Sequence, residues 1–108
     1  MRKLVVKRKR SFVGGMLPYL FVVGIDFSEF EKMSEEEKDS VCFDISNGET
    51  MEIEISNEAS KIFAIAAIAN GVALSDEMLI EAGSQEERIE IITKYSFIKG
   101  SKLILKSF

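Results

Sequence analysis

The most regular pattern of apolar and polar positions lies in residues 41–55. In the second half of this segment, three apolar residues alternate with Glu52 and Glu54, a period of two that is typical of a strand with one buried and one solvated face. The dipeptide Asn47-Gly48 separates this run from the preceding one, and it favours the tight turn of a β-hairpin because both residues tolerate positive φ angles. The pattern therefore predicts a hairpin over residues 41–55.

Shorter runs of β-branched, aromatic and aliphatic residues predict further strands. These runs cover residues 3–10, 18–23, 77–81, 88–93 and 102–106. Gly14-Gly15 lies between the first two runs and indicates the turn of a second hairpin. The first run is strongly basic, and like charges along a strand are typical of an edge that is protected against further pairing. We therefore predict that the chain begins with an edge strand.

Residues 26–40 carry a helical pattern instead. Their apolar residues recur three positions apart, at Phe27, Phe30 and Met33. Ser28 and Glu31 have the spacing of a capping box, and Glu and Lys are good helix formers. The pattern predicts a short surface helix whose apolar residues either cover one open end of a β-sandwich or form an interaction element.

Residues 57–70 fit two structures. The stretch from Ile62 to Ala69 has no polar face, which is typical of a strand that is buried on both sides. The same alanine-containing stretch, followed by Gly71, also suits a helix that ends at a left-handed cap. Composition does not decide between the two, so both readings stay open.

Turn signals recur along the chain at the spacing typical of an all-β domain. With 108 residues, the chain is long enough for one domain of ordinary size, over residues 1–108. We predict a single antiparallel β-sandwich of about seven or eight strands, with a short helical insertion near residues 27–40. The alternative is an α+β fold in which residues 57–70 are helical.

The composition narrows the chemistry that the chain can perform. It contains no His, no Trp and one Cys. Without His there is no Ser-His-Asp or Cys-His triad and no His-ligated metal site. Cys42 lies between apolar neighbours, so we interpret it as a small core residue, and alone it forms no intramolecular disulfide. The sequence therefore predicts no catalytic residue, no cofactor and no metal, and a protein that is not an enzyme.

The net charge of −4 is unevenly distributed. The first ten residues carry six basic side chains, whereas residues 26–58 carry twelve acidic side chains against two lysines. Such acids on a strand form a solvated face far more often than a catalytic carboxylate pair or a calcium site. We interpret the basic start as a protected edge that pairs with the acidic middle of the chain, and we expect no nucleic-acid binding, since the domain is acidic overall.

The longest apolar run, Ile62 to Ala69, is too short for a transmembrane helix, and the three apolar residues that follow Lys3 are too few for the core of a signal peptide. The lone cysteine suits a reducing compartment, so the sequence predicts a cytoplasmic location. The alternative is an envelope-associated or secreted protein from which a signal has been removed.

The order of these segments resembles a type of small bacterial β-sandwich domain with an immunoglobulin-like architecture. The matching segments are a basic strand at 4–14, a strand at 19–24, an x-I-x-N-G-E-x-x-E-I-x-I segment at 44–55, strands at 61–69 and 75–81, a turn at Gly83 and a strand pair at 87–106. The middle portion also resembles the PEGA-type modules of bacterial envelope proteins. In place of the usual Asp-Gly turn this chain carries the Phe27–Ser40 insertion, and in place of Gly-x-His it has residues 57–60.

The resemblance implies an accessory, non-catalytic module and no particular substrate. The sequence therefore predicts an interaction or scaffolding module that binds an unknown protein partner and is a monomer or an edge-strand homodimer. The predicted interaction surface consists of Phe27, Phe30, Met33, Arg8 and Arg10. A small-ligand or carbohydrate-binding domain is the alternative, although only two tyrosines are present to stack on a sugar. A hydrolase without a His-based site is a further alternative that no motif favours.

Overall fold

The structure, a computed structural model, describes residues 1–11, 17–68, 71–96 and 100–108. Two helices and nine strands occur in these residues. The strands are β1 (Arg2–Arg8), β2 (Tyr19–Val23), β3 (Cys42–Ile45), β4 (Thr50–Ile55), β5 (Ser60–Ile68), β6 (Gly71–Leu74), β7 (Met78–Ile80), β8 (Glu87–Ser96) and β9 (Gly100–Ser107). The helices are α1 (Phe27–Glu31) and α2 (Glu35–Val41). The all-β prediction is therefore confirmed.

The strands form two sheets. Sheet A has the order β4-β1-β8-β9, and sheet B has the order β3-β2-β5-β6, with β7 paired to β5 beside β6. All pairs are antiparallel except β1 with β8, which are parallel, so the expectation of a purely antiparallel fold is wrong at this pair. One apolar cluster joins the inner faces of both sheets, an arrangement consistent with the predicted sandwich.

The strand pattern follows from the alternation in the sequence. Along β4 the exposed residues alternate with half-buried or buried ones, as the Glu-containing run predicts. Residues 60–68 form a strand, so the helical alternative for this segment is wrong. This strand lacks a polar face because β5 is central in sheet B, with an apolar cluster on each of its two faces. The strands predicted at 77–81 and 87–106 are also confirmed, and β8 and β9 pair as an antiparallel hairpin.

The first strand is not an edge. It lies between β4 and β8, so the prediction that the chain begins with a protected edge strand is wrong. Pairing of the basic strand with the acidic middle of the chain is confirmed by its register with β4 and by the ion pair of Lys3 Nζ with Glu52 Oε2 at 3.3 Å. The hairpin predicted around Gly14-Gly15 is also wrong, because β1 and β2 lie in different sheets, and the turn itself falls outside the described residues.

The Asn47-Gly48 turn connects the two sheets instead of closing a hairpin. β3 pairs with β2 in sheet B, and β4 pairs with β1 in sheet A. Glu49 N donates to Ser46 O at 3.0 Å, and Gly48 has φ 76°, while Asn47 does not have a positive φ. A positive φ at the third turn residue alone is typical of a type II turn, whereas the predicted type I′ turn requires it at both central residues.

Candidate interaction edges

The helical insertion covers the outer face of sheet B. Phe30 is 6% exposed and belongs to an apolar cluster with residues of β2 and β5, and Phe27 and Met33 pack against the same cluster while remaining half-buried. The centroids of the Phe27 and Phe30 rings lie 5.9 and 5.8 Å from that of Phe63, in edge-to-face geometry. The expectation that these residues cover an open end of the fold is thus wrong, since they cover a sheet face.

Both helices of the insertion begin at side-chain caps. Asp26 accepts a hydrogen bond from Glu29 N at 2.8 Å at the start of α1. Ser34 and Glu37 form a reciprocal capping box at the start of α2, and these bonds lower the pKa of Glu37. The helical prediction is confirmed, but the capping box lies here and not at Ser28.

Arg8 lies inside the fold and not on a surface. The side chain is completely buried at the end of β1, where Nη1 donates to Leu17 O and to Ile45 O, both at 2.9 Å. The guanidinium carbon lies 3.4 Å from the centroid of the Tyr19 ring. Burial lowers the pKa of Arg8, and the neighbouring Tyr19 offsets this shift only in part. The prediction that Arg8 belongs to an interaction surface is therefore wrong.

Arg2 closes the opposite end of the same strand. Its guanidinium donates to Ser56 O, Glu58 O and Glu81 O at 3.1, 3.1 and 2.7 Å, and it lies 3.7 Å from a carboxylate oxygen of Glu87. Arg2, Leu4, Val6 and Arg8 share the inner face of β1, so an arginine stands at each end of an apolar stretch.

Arg10, the last residue of the predicted interaction surface, is exposed. Its guanidinium lies over the turn at Gly48, where an added Cβ would be 3.3 Å from Nε. The structure therefore does not bring Arg10 together with Phe27, Phe30 and Met33, which lie on sheet B. It places the five residues in three separate environments.

Among the residues that the structure describes, no strand pairs with the outer side of β4 in sheet A. β4 is the last strand on its side of the sheet. Arg8 N donates to Glu49 O at 2.9 Å, in continuation of the β1–β4 register. Because hydrogen-bonded positions alternate along an antiparallel pair, the backbone N–H and C=O groups of Thr50, Glu52 and Glu54 point away from β1. Three residues thus offer their backbone groups at this edge.

The side chains of β4 give this edge a distinct chemistry. Glu52 and Glu54 are exposed on the outer face of sheet A, whereas Met51 and Ile53 are half-buried on the inner face. A groove of about 270 Å³ is lined in part by residues of β4 and of β3, which belongs to the other sheet. Phe43, 37% exposed, lines this groove together with Ile53. The edge therefore combines acidic positions outside with apolar positions inside.

The opposite edge of sheet A, at β9, has the complementary chemistry. Lys102 and Lys106 are exposed, and Ile104 lies between them in the alternation on the outer face. Lys102 Nζ also lies 3.5 Å from Oδ2 of the exposed Asp76, a surface ion pair that leaves Lys102 accessible to solvent. Phe108 N donates to Arg88 O at 3.2 Å, in continuation of the β8–β9 register. By the same alternation, the backbone groups of residues 103, 105 and 107 point away from β8.

The contrast between an acidic strand and a basic strand is readable in the sequence. The sequence does not show that these two strands form the two edges of one sheet, because the strand order depends on long-range pairing. The candidate site was missed for that reason.

Other kinds of site are not found in the described part of the chain. Within residues 1–11, 17–68, 71–96 and 100–108, no group of three or more His, Cys, Asp or Glu side chains could hold a metal ion. None of the helices described there is long and apolar enough to cross a membrane.

Cys42 is expected to be a slow nucleophile. It is half-buried at the start of β3, and burial, followed by Asp39 and Asp44, raises the pKa of its thiol. A raised pKa leaves less thiolate at a given pH, and the thiolate is the reactive form. Folded protein should therefore react with an aromatic disulfide reagent more slowly than a cysteine peptide at the same pH, and the difference should shrink as pH rises.

The matched measurements use the same reagent in urea and the variant Asp44→Asn. Unfolding should abolish the difference, and removing the carboxylate should increase the rate in the folded protein. A folded protein that reacts as fast as the peptide would contradict the assigned environment of Cys42.

Comparisons with known proteins find no family model, no curated protein and no solved structure that matches this chain. The resemblance to small bacterial β-sandwich domains stays a prediction.

Proposed function

We propose that this chain is a non-catalytic protein-interaction module that binds an extended segment of a partner by strand addition at the β4 edge of sheet A. The observation that supports this most directly is the open, regular edge of β4, a six-residue strand at the end of the sheet order. Strand addition obtains its affinity from main-chain hydrogen bonds and needs no special residue type in the binding site.

The side chains beside this edge determine the segment that it fits. A strand added to β4 places alternate side chains over the inner and outer faces of sheet A. On the inner side, Met51, Ile53 and the exposed part of Phe43 favour apolar side chains. On the outer side, Glu52 and Glu54 favour lysine or arginine, since opposite charges on neighbouring strands stabilise pairing. The expected ligand is an extended segment in which apolar and basic residues alternate.

A labelled synthetic peptide of alternating valine and lysine, about seven residues long to match a typical strand, tests the proposal. Binding is measured by fluorescence anisotropy, and the binding position by NMR of the nitrogen-labelled protein. We expect binding that weakens with salt and amide shifts that concentrate on Thr50, Glu52 and Glu54. A peptide with glutamate in place of lysine should not bind.

The variant Glu52→Pro separates strand addition from other kinds of binding. Its N–H points to the open edge, so proline there removes an edge donor and leaves the ladder with β1 intact, as is typical of proline in edge strands. We expect this variant to stay folded by circular dichroism and to lose the peptide. A second test removes only the charges of β4, in the variant Glu52→Gln with Glu54→Gln. Its matched control is Glu35→Gln with Glu36→Gln, which removes two exposed carboxylates from α2.

This double variant should bind the peptide as the natural chain does, whereas Glu52→Gln with Glu54→Gln should bind it more weakly. Unchanged binding to Glu52→Pro, or amide shifts that lie mainly outside β4, would refute strand addition at this edge.

A further inference from the structure

We infer that the segment that binds the β4 edge is β9 of a second copy of this chain, so that sheet A continues from one copy into the next. This inference rests on the proposed function and names its partner. It uses three observations: β4 and β9 are the two outermost strands of sheet A among the described residues, their exposed outer-face side chains carry opposite charges, and the two strands run in the same direction.

The direction of the strands fixes how two copies would pair. β1 is antiparallel to β4 and parallel to β8, and β8 is antiparallel to β9. β4 and β9 therefore point the same way. A copy displaced sideways along the sheet, without being inverted, brings its β9 beside β4 as a parallel pair and keeps the inner and outer faces of both sheets aligned.

The backbone groups of the two edges are spaced for such a pair. In a parallel strand pair, a residue whose N–H and C=O point toward the partner strand bonds to two residues of that strand. These are the residues immediately before and immediately after the one that lies beside it. Glu52 points outward from β4, and Leu103 and Leu105 point outward from β9. If Glu52 lies beside Ile104, its N–H meets the Leu103 carbonyl and its C=O meets the Leu105 N–H.

This register also matches the side chains on both faces. Glu54 lies beside Lys106 and Thr50 lies beside Lys102 on the outer face, and Glu52 is flanked diagonally by both lysines. On the inner face, the apolar residues of β4 adjoin Leu103 and Leu105, which already face the core. Opposite charges and apolar contacts both favour this alignment of the strands.

Pairing of like edges is disfavoured by the same charges. A two-fold dimer through β4 would place Glu52 and Glu54 of one copy beside those of the other, and a dimer through β9 would place lysines beside lysines. Like charges opposite one another destabilise a strand pair. The favoured contact joins the β4 edge of one copy to the β9 edge of the next. A dimer formed in this way still has an unpaired edge at each end, so further copies can add and an open-ended assembly forms.

The experiment measures self-association of the full chain by sedimentation equilibrium. The edge contact is small and charged, so we expect a weak association in which the weight-average mass rises with protein concentration and falls with added salt. Two variants reverse the edge charges: Glu52→Lys with Glu54→Lys, and Lys102→Glu with Lys106→Glu. Each alone should remain monomeric, since its two edges then carry the same charge.

An equimolar mixture of the two variants should associate, because the acidic β9 of one variant faces the basic β4 of the other. Restored association in the mixture also shows that both variants are folded. Glu35→Lys with Glu36→Lys makes the same change in net charge on α2 and should associate as the natural chain does.

The inference is overturned if the natural chain stays monomeric, if either edge variant associates as well as the natural chain, or if the mixture remains monomeric. These outcomes are distinguishable from failure of the proposed function, which is measured with the synthetic peptide. A β4 edge that binds the peptide in a chain that does not self-associate retains the proposed function and excludes only the second copy as its partner.

Discussion

Replacing Arg8 with alanine is expected to lower the free energy of unfolding by about 3–5 kcal/mol, because two hydrogen bonds from a charged donor and the packing of a fully buried side chain are lost together. The Arg8 side chain is fully buried and donates to the carbonyls of Leu17 and Ile45. The bond to the Ile45 carbonyl is buried, and a buried carbonyl that loses its donor costs about 1–3 kcal/mol. The substitution also leaves a cavity beside Tyr19, whose ring stacks on the guanidinium. Urea unfolding of the variant and the natural chain measures the difference.

Arg8→Lys tests whether the planar guanidinium or only its positive charge is required. Lysine keeps the charge, but its ammonium group cannot stack on Tyr19 as a planar group while bonding both carbonyls. We expect Arg8→Lys to be destabilised too, by less than the alanine variant. The neighbouring Lys9 is exposed, and Lys9→Ala should change stability by no more than about 0.5 kcal/mol. Equal stabilities for Arg8→Ala and Lys9→Ala would contradict the assigned role of Arg8.

Arg8 also shows where prediction from sequence stops. The period of two along β1 is visible in the sequence, and it places Arg2, Leu4, Val6 and Arg8 on one face. Charged residues occur on both faces of this strand, so the pattern does not identify the inner one. The loop carbonyls that satisfy the two arginines come from distant parts of the chain, and only the long-range fold brings them together.

Strands whose polarity alternates cleanly are predicted correctly, because the alternation itself specifies one buried face. This is the case for β4, and the strand pair predicted at 87–106 is the antiparallel pair of β8 and β9. The pairing partner is harder to predict. Asn47-Gly48 suits a turn, but the Asn47 amide also accepts from Ser11 N and donates to Ser11 O, at 2.9 and 3.0 Å. These hydrogen bonds join residues that are 36 positions apart in the sequence. They hold the turn at the point where the chain passes from one sheet to the other, so the turn does not close a hairpin.

The candidate site is likewise predictable only in part: its side-chain pattern is visible in the sequence, whereas its strand order is not. The acidic outer face of β4 and the lysines of β9 are both visible in the sequence, and the acidic residues are predicted there as a solvated strand face. Their significance depends on strand order, since β1 is inserted between β4 and β8 and thereby leaves β4 and β9 as the two edges.

Replacing Phe63 with alanine is expected to lower the free energy of unfolding by about 3–5 kcal/mol, as is typical of a buried Phe→Ala change. Phe63 is 1% exposed on the outer face of β5 and contacts the rings of both Phe27 and Phe30. Helices α1 and α2 have five and seven residues. Isolated helices of that length are unstable in water, so their order depends on packing against the sheet.

The Phe63→Ala variant should therefore also lose protection against hydrogen exchange in α1 and α2 before the two sheets open. Leu79→Ala is the matched control, because register places Leu79 beside Lys61 on the same outer face, where it is 60% exposed. That variant should change stability by no more than about 0.5 kcal/mol and leave the helices protected. Helical amides that remain protected in Phe63→Ala would show that contacts other than the Phe63 ring, such as the caps at Asp26 and Ser34, hold the insertion on the sheet.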